Sequence, residues 1–164
     1  MINYKDYIES IPDFPLKGIL YRDIQPILEN DSVFRNAIKE MGLMVSLPDY
    51  WVAVESRGFI FASALSIMFG GGVKLIRKKG KLPNQNLVSE AYGLEYGKDE
   101  LEISNNENLK NKKVVIVDDV FATGGTLKAA EKLCKKIHLN VTDKLCLVDI
   151  GIVKSHNVKC LIKY

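Results

Sequence analysis

An α/β fold with a central, mainly parallel twisted sheet flanked by helices is the architecture this sequence predicts, on three observations. Val114-Val115-Ile116-Val117 is a continuous β-branched run, the pattern of a strand buried on both faces. Asp118-Asp119 and the small-residue loop Ala122-Thr123-Gly124-Gly125-Thr126 follow it and open a helix with apolar positions at Leu127, Ala130, Cys134 and Ile137. Along the rest of the chain, strand patterns alternate with helical ones, as βαβ crossovers require. The 164 residues suffice for a single domain, 1–164, and are too few for two.

The elements follow in order. A short N-terminal helix is expected to about Ser10. Then comes a proline- and glycine-pinned loop, Pro12 to Gly18, leading into a short strand; together these make a small N-terminal segment of about residues 1–30. Phe34, Ala37, Ile38 and Met41 mark one helical face. Trp51 to Val54 reads as a strand ending at Glu55, Gly58 to Phe69 as a helix, and Val73 to Arg77 as the next strand. Residues 78–100 are polar and glycine-rich, with short strands expected at Leu87-Val88 and 101–103. A connection this long reads as a flexible lid or binding loop. Val114 to Asp118 is the next strand, followed by a helix to about His138, then strands Val141–Asp149 and Val158–Ile162.

Composition narrows the function classes. Hydrophobic residues make up 47% and charged residues 26%, an ordinary globular balance. A net charge of +3 falls short of a nucleic-acid binder but suits a small polyanionic substrate if the charge is clustered. Cys134, Cys146 and Cys160 are odd in number and widely spaced, which predicts reduced, buried thiols and a cytoplasmic protein. His138 and His156 are far apart and predict surface residues rather than a zinc site. The longest uncharged stretch, Gly58 to Val73, is too short to span a bilayer, and no secretory pattern opens the chain, so no membrane partner is expected.

The chemistry concentrates where strands meet helices. Beyond the carboxyl end of the 114–118 strand, a helix N-terminus offers unpaired N–H groups to an anion. Glycines allow close backbone approach, and Thr123 and Thr126 add hydroxyl donors. Carboxylates repel phosphate, so Asp118 and Asp119 must serve sugar hydroxyls or a metal ion. Glu55-Ser56-Arg57-Gly58 forms a second strand-to-helix corner, where Arg57 is either an exposed first-turn arginine or a phosphate fork. The basic run around Arg77, Lys78 and Lys81 is either a solvated loop or a diphosphate clamp. Glu95 is either a surface glutamate or a lid acid whose pKa rises on closure. Tyr21 is either core packing or a stacking platform for a planar base.

These motifs together resemble the type I phosphoribosyltransferases. The strand plus Asp-Asp plus Ala-Thr-Gly-Gly-Thr is similar to that family's motif for 5-phosphoribosyl diphosphate (PRPP). Ile11-Pro12-Asp13-Phe14-Pro15, Gly18 to Ile24, Glu55 to Phe61, Ile76 to Pro83 and Leu94-Glu95-Tyr96-Gly97 occur in the order that resembles the adenine branch over nearly the whole chain. The resemblance implies the type I phosphoribosyltransferase fold with an N-terminal hood and a lid. It also implies a pentosyltransferase that makes AMP and diphosphate from adenine and PRPP with Mg2+, acting as a homodimer.

By the same resemblance, Glu55, Ser56, Arg57, Gly58, Asp118, Asp119, Ala122, Thr123, Gly124, Gly125 and Thr126 would bind PRPP, the 55–58 corner carrying a cis peptide at Glu55–Ser56. Glu95 and Arg57 would be catalytic. Arg77, Lys78, Lys81 and Tyr96 would serve the diphosphate or the neighbouring subunit. Leu20, Tyr21, Arg22 and Ile150 would hold adenine. Three departures stand out: Gly70-Gly71-Gly72, no glycine- and arginine-rich stretch after Ile150, and the short segment that follows it. A phosphoribosyltransferase for another purine, or a PRPP-sensing regulator without catalysis, are the competing readings.

Overall fold

The structure, a computed structural model, describes residues 2–83, 85–94, 97–153 and 157–164. A 3-10 turn, Tyr4–Tyr7, precedes strands β1 (Glu9–Pro12) and β2 (Leu20–Asp23), which pair antiparallel as a separate two-stranded sheet, the hood. The expected N-terminal helix is thus shorter, because Glu9 to Pro12 is drawn into pairing with β2. Helices α1 (Gln25–Glu29) and α2 (Asp31–Leu43) follow; Asn30 caps α2, its Oδ1 accepting from Val33 N at 3.1 Å.

Strand β3 (Tyr50–Val54), helix α3 (Gly58–Phe69) and strand β4 (Gly72–Lys78) form the first crossover. Strands β5 (Leu87–Leu94) and β6 (Gly97–Ser104) come next, then β7 (Lys113–Phe121), helix α4 (Gly125–Lys136), β8 (Asn140–Asp149) and β9 (Lys159–Lys163). Strands β3 to β9 form one seven-stranded sheet in the order β5-β6-β4-β3-β7-β8-β9. It is parallel from β4 to β9 across that order, with β5 and β6 antiparallel at one edge.

Strand β7 shows why its sequence is apolar throughout. Val115 and Val117 face the core beneath α2 and α3, whereas Val114 and Ile116 face the core beneath α4. Both faces are covered, so no position alternates to polar. At the far end of α3, Trp51 Nε1 donates to Gly70 O at 2.8 Å and fixes the helix terminus to β3.

The segment expected to be a lid loop is mostly strand. β5 and β6 extend over 87–94 and 97–104 because Leu101 and Ile103 are buried and Val88 and Tyr92 pack against the α4-side core. Asp99, Glu100 and Glu102 fall between these apolar positions and hide the alternation. β7 likewise runs past Asp118 to Phe121, pairing with Asp149 of β8. All three cysteines are free and buried, as expected. His138 is exposed, and His156 lies outside the described residues. No described helix is long and apolar enough to cross a membrane.

Candidate active site

The crossover after β3 returns to one side of the sheet and the crossover after β7 to the other. Their carboxyl ends therefore flank a topological switch point, where open α/β sheets leave a crevice for ligands. The 55–58 corner and the 122–126 loop stand on either side of it.

The peptide bond Glu55–Ser56 is cis, as expected from the corner's resemblance. Glu55 is latched from behind. Its carboxylate accepts from Arg77 Nη2 at 2.9 Å and from Lys78 N at 2.8 Å, while Arg77 Nη1 donates to Lys81 O at 2.9 Å. The Arg77 bond is the main cause that holds the Glu55 carboxyl below the usual carboxylate range. Arg77 therefore serves its own chain by tying the 55–58 corner to the basic loop. Lys78 pairs with Asp99 at 3.1 Å, Lys81 is exposed, and Ser56 is exposed at the crevice.

Arg57 joins three parts of the molecule. Its Nε lies 2.7 Å from Asp119 Oδ2, an ionic contact without hydrogen-bond alignment. Its Nη1 donates to the Tyr21 hydroxyl at 2.5 Å. Its guanidinium sits 5.3 Å from the centre of the Tyr21 ring, which meets Phe14 edge-on at 5.1 Å. Asp118 and Asp119 are both buried, and Asp118 Oδ1 accepts from Asp119 N at 3.0 Å. Burial, and then the charge of Asp119, push the Asp118 carboxyl well up. Burial also raises Asp119, against the pull of Arg57. Burial thus raises both carboxyls, Asp118 the further, while the Arg57 charge opposes the rise at Asp119.

Gly58 lets this corner approach β7. A Cβ there would stand 2.7 Å from Val117 O and 3.3 Å from Asp118 Oδ1. Within the 120–127 turn lies a recess of about 60 Å³, lined by backbone, Thr123 and Thr126, with Gly124 left-handed before α4. The recess opens beside a cleft of about 660 Å³. Leu20 and Arg22 of the hood form one wall, Ile150 and Ile152 another, and Ala122, Thr123, Gly125 and Thr126 the floor. Tyr92 also lines the cleft and was not singled out in the sequence. Its hydroxyl is pushed up to about 12, first by burial and then by the charge of Asp99.

The structure thus brings Leu20, Arg22 and Ile150 together with the 122–126 loop, and Tyr21, Arg57 and Asp119 with one another. Glu95 and Tyr96 lie outside the described residues. Among the described residues no group of three or more His, Cys, Asp or Glu side chains could hold a metal. The 118–119 pair still fits Mg2+, which is usually held by one or two carboxylates with substrate phosphates and water.

Residues 44–153 match the phosphoribosyl transferase domain. A relative from Hydrogenovibrio crunogenus, an adenine phosphoribosyltransferase, is 47% identical over 154 residues, covering 91% of this chain and 86% of its own. The chain belongs to the adenine phosphoribosyltransferase family. Its fold is the type I fold of that family. The Thermoanaerobacter pseudethanolicus family structure superposes with a TM-score of 0.90 at 37% identity, covering 98% of both chains. That from Saccharomyces cerevisiae, complexed with an imino-altritol bisphosphate and adenine, gives 0.85 at 34% identity, covering 96% of this chain and 94% of its own.

Proposed function

We propose that the protein transfers the 5-phosphoribosyl group of PRPP to adenine, releasing AMP and diphosphate, a purine-salvage reaction. One observation carries this reading. A cleft between the hood and the Ile150–Ile152 segment opens directly onto the 122–126 anion loop, and the buried acid pair lies on the strand that leads into that loop. A base, a ribose and a phosphate have that order in the product. The family relatives support adenine as the base.

In this reading the 122–126 loop takes the 5′-phosphate on backbone N–H groups and the Thr123 and Thr126 hydroxyls. Asp118 and Asp119 take the ribose hydroxyls. Breaking the C1–oxygen bond develops positive charge on the ribose, which the neighbouring acid pair stabilises, and negative charge on diphosphate. Arg57 answers that negative charge by turning from Asp119 toward the leaving group, with Lys81 beside it. Gly58 lets the corner stand this close to the acid pair, and Ser56 offers a hydroxyl to the same anion. Mg2+, where bound, would be held mainly by PRPP oxygens and water, and would neutralise the diphosphate. Leu20, Tyr21, Arg22 and Ile150 hold the base, and Glu95 moves a proton on its ring.

The protein is a cytoplasmic homodimer in this proposal. Val73 and Leu75 of β4 are register partners of Trp51 and Ala53 and so share the sheet face that carries α3. They are exposed there with Ile60, Met68 and Ile67, the last 90% accessible. A second copy would cover this apolar face, which ends at the Arg77–Glu55 pair beside the site.

The test is diphosphate release from PRPP and Mg2+ with adenine, hypoxanthine, guanine or no base. Release with adenine alone supports the assignment. Release with another base would move the assignment to that purine, and PRPP binding without release would favour a regulator.

A further inference from the structure

Tyr164 follows β9 and has no place in the site described above, yet it touches both walls of the base cleft. Its ring lies under two cations of the N-terminal segment, with the Arg22 guanidinium 3.8 Å and Lys5 Nζ 4.8 Å from its centre. Its main chain grips the opposite wall. Tyr164 N donates to Asp149 O at 3.0 Å, and the Asp149 carboxylate accepts from Gly151 N at 2.9 Å. Gly151 is left-handed, at φ 74°, and a Cβ on it would stand 2.8 Å from Tyr164 O. The turn that carries Ile150 is thus moulded against Tyr164.

The hood needs such a fastening. It is a sheet of only two strands, and all four residues of β1 are exposed. A hairpin of that size is marginal alone. Ile8 and Ile24, at the outer ends of β1 and β2, are buried in the main core, and the strands themselves attach through β2, whose successive side chains point to opposite faces. Tyr21 reaches Arg57 on one side, and Arg22 reaches Ser10 and the Tyr164 ring on the other.

We propose that Tyr164 is a positioning residue for the base cleft. Its ring holds Arg22, and with it the β2 wall, at a fixed distance from the Asp149–Gly151 turn that presents Ile150. Tyr164 touches no substrate; it sets the width of the slot a planar base must enter. The inference rests on the reading that this cleft takes a purine.

Tyr164→Leu removes the ring and keeps an apolar side chain; Tyr164→Phe keeps the ring without the hydroxyl. The Leu variant is expected to raise KM for adenine about two- to fivefold, the scale of one exposed cation–π contact, with KM for PRPP unchanged. The Phe variant is expected to match the wild type. Amide hydrogen exchange over residues 9–23 is expected to quicken in the Leu variant only. An unchanged adenine KM in the Leu variant, a Phe variant as impaired as Leu, or parallel rises in both KM values would overturn the proposal. The exchange measurement needs no activity. If the wild type consumes no adenine, the functional reading fails, and unchanged exchange over 9–23 would separately refute the role of Tyr164.

Discussion

Asp118 shows how a single side chain can be costly to the fold at the place where the proposed chemistry needs it. Its carboxyl titrates well above the ordinary value because it is buried beside Asp119. The folded protein therefore holds that proton more tightly than the unfolded chain does. The resulting stabilisation is fully present below the unfolded carboxylate value of about 4 and is lost as pH rises through the raised folded value. Asp118→Asn removes the titration and keeps the shape. The ligand-free variant is expected to melt about 2–4 °C higher at neutral pH, on the order of 1 kcal/mol, with a flatter pH profile by scanning calorimetry. Diphosphate release is expected to fall by roughly two orders of magnitude or more, the scale seen when one preorganised transition-state contact is removed. A lower melting temperature would mean that the carboxylate is stabilised in place. Full activity would remove the acid pair from the ribose assignment.

At the scale of elements, the two crossovers hold the site only as precisely as they approach each other. Gly58→Ala puts a methyl group against Val117 O and Asp118, at distances no flexible side chain can relieve. The expected cost is about 1–3 kcal/mol in urea unfolding, with a larger proportional loss of kcat, since α3 and β7 must part at the proposed PRPP site. Wild-type stability in this variant would show that the corner is loosely packed. The elements nearest this contact were also the most legible in the sequence. β3, β7 and α4 carry continuous or strictly periodic apolar patterns because each is covered by neighbours, and α3 is apolar on its exposed face as well. β5 and β6 were under-read because their charged residues are kept in place by partners distant in sequence: Asp99 by Lys78 and Glu90 by Lys132 and Lys136. The site divides in the same way. The acid pair and phosphate loop are local, and their spacing announces them. The bonds of Tyr21 to Arg57 and Glu55 to Arg77 cross 36 and 22 residues of sequence, and no local pattern encodes them.

At the scale of the whole molecule, the exposed apolar face along α3 and β4 predicts assembly. Ile67→Lys, a change at the most accessible of these positions, is expected to convert a dimer to a monomer in light scattering while the fold survives by circular dichroism. A wild type that is already monomeric would refute the assembly. The hood carries a different consequence. The large sheet has a core on each face, whereas the hood is a hairpin fastened by a few side chains. Warming should therefore undo the molecule in two stages, the hairpin first. Catalysis is expected to fail at a temperature where far-ultraviolet circular dichroism still reports an intact fold, and to return on cooling. Affinity for the sugar phosphate should outlast affinity for the base across that interval, so heat would sort the two halves of the substrate site by how each is built.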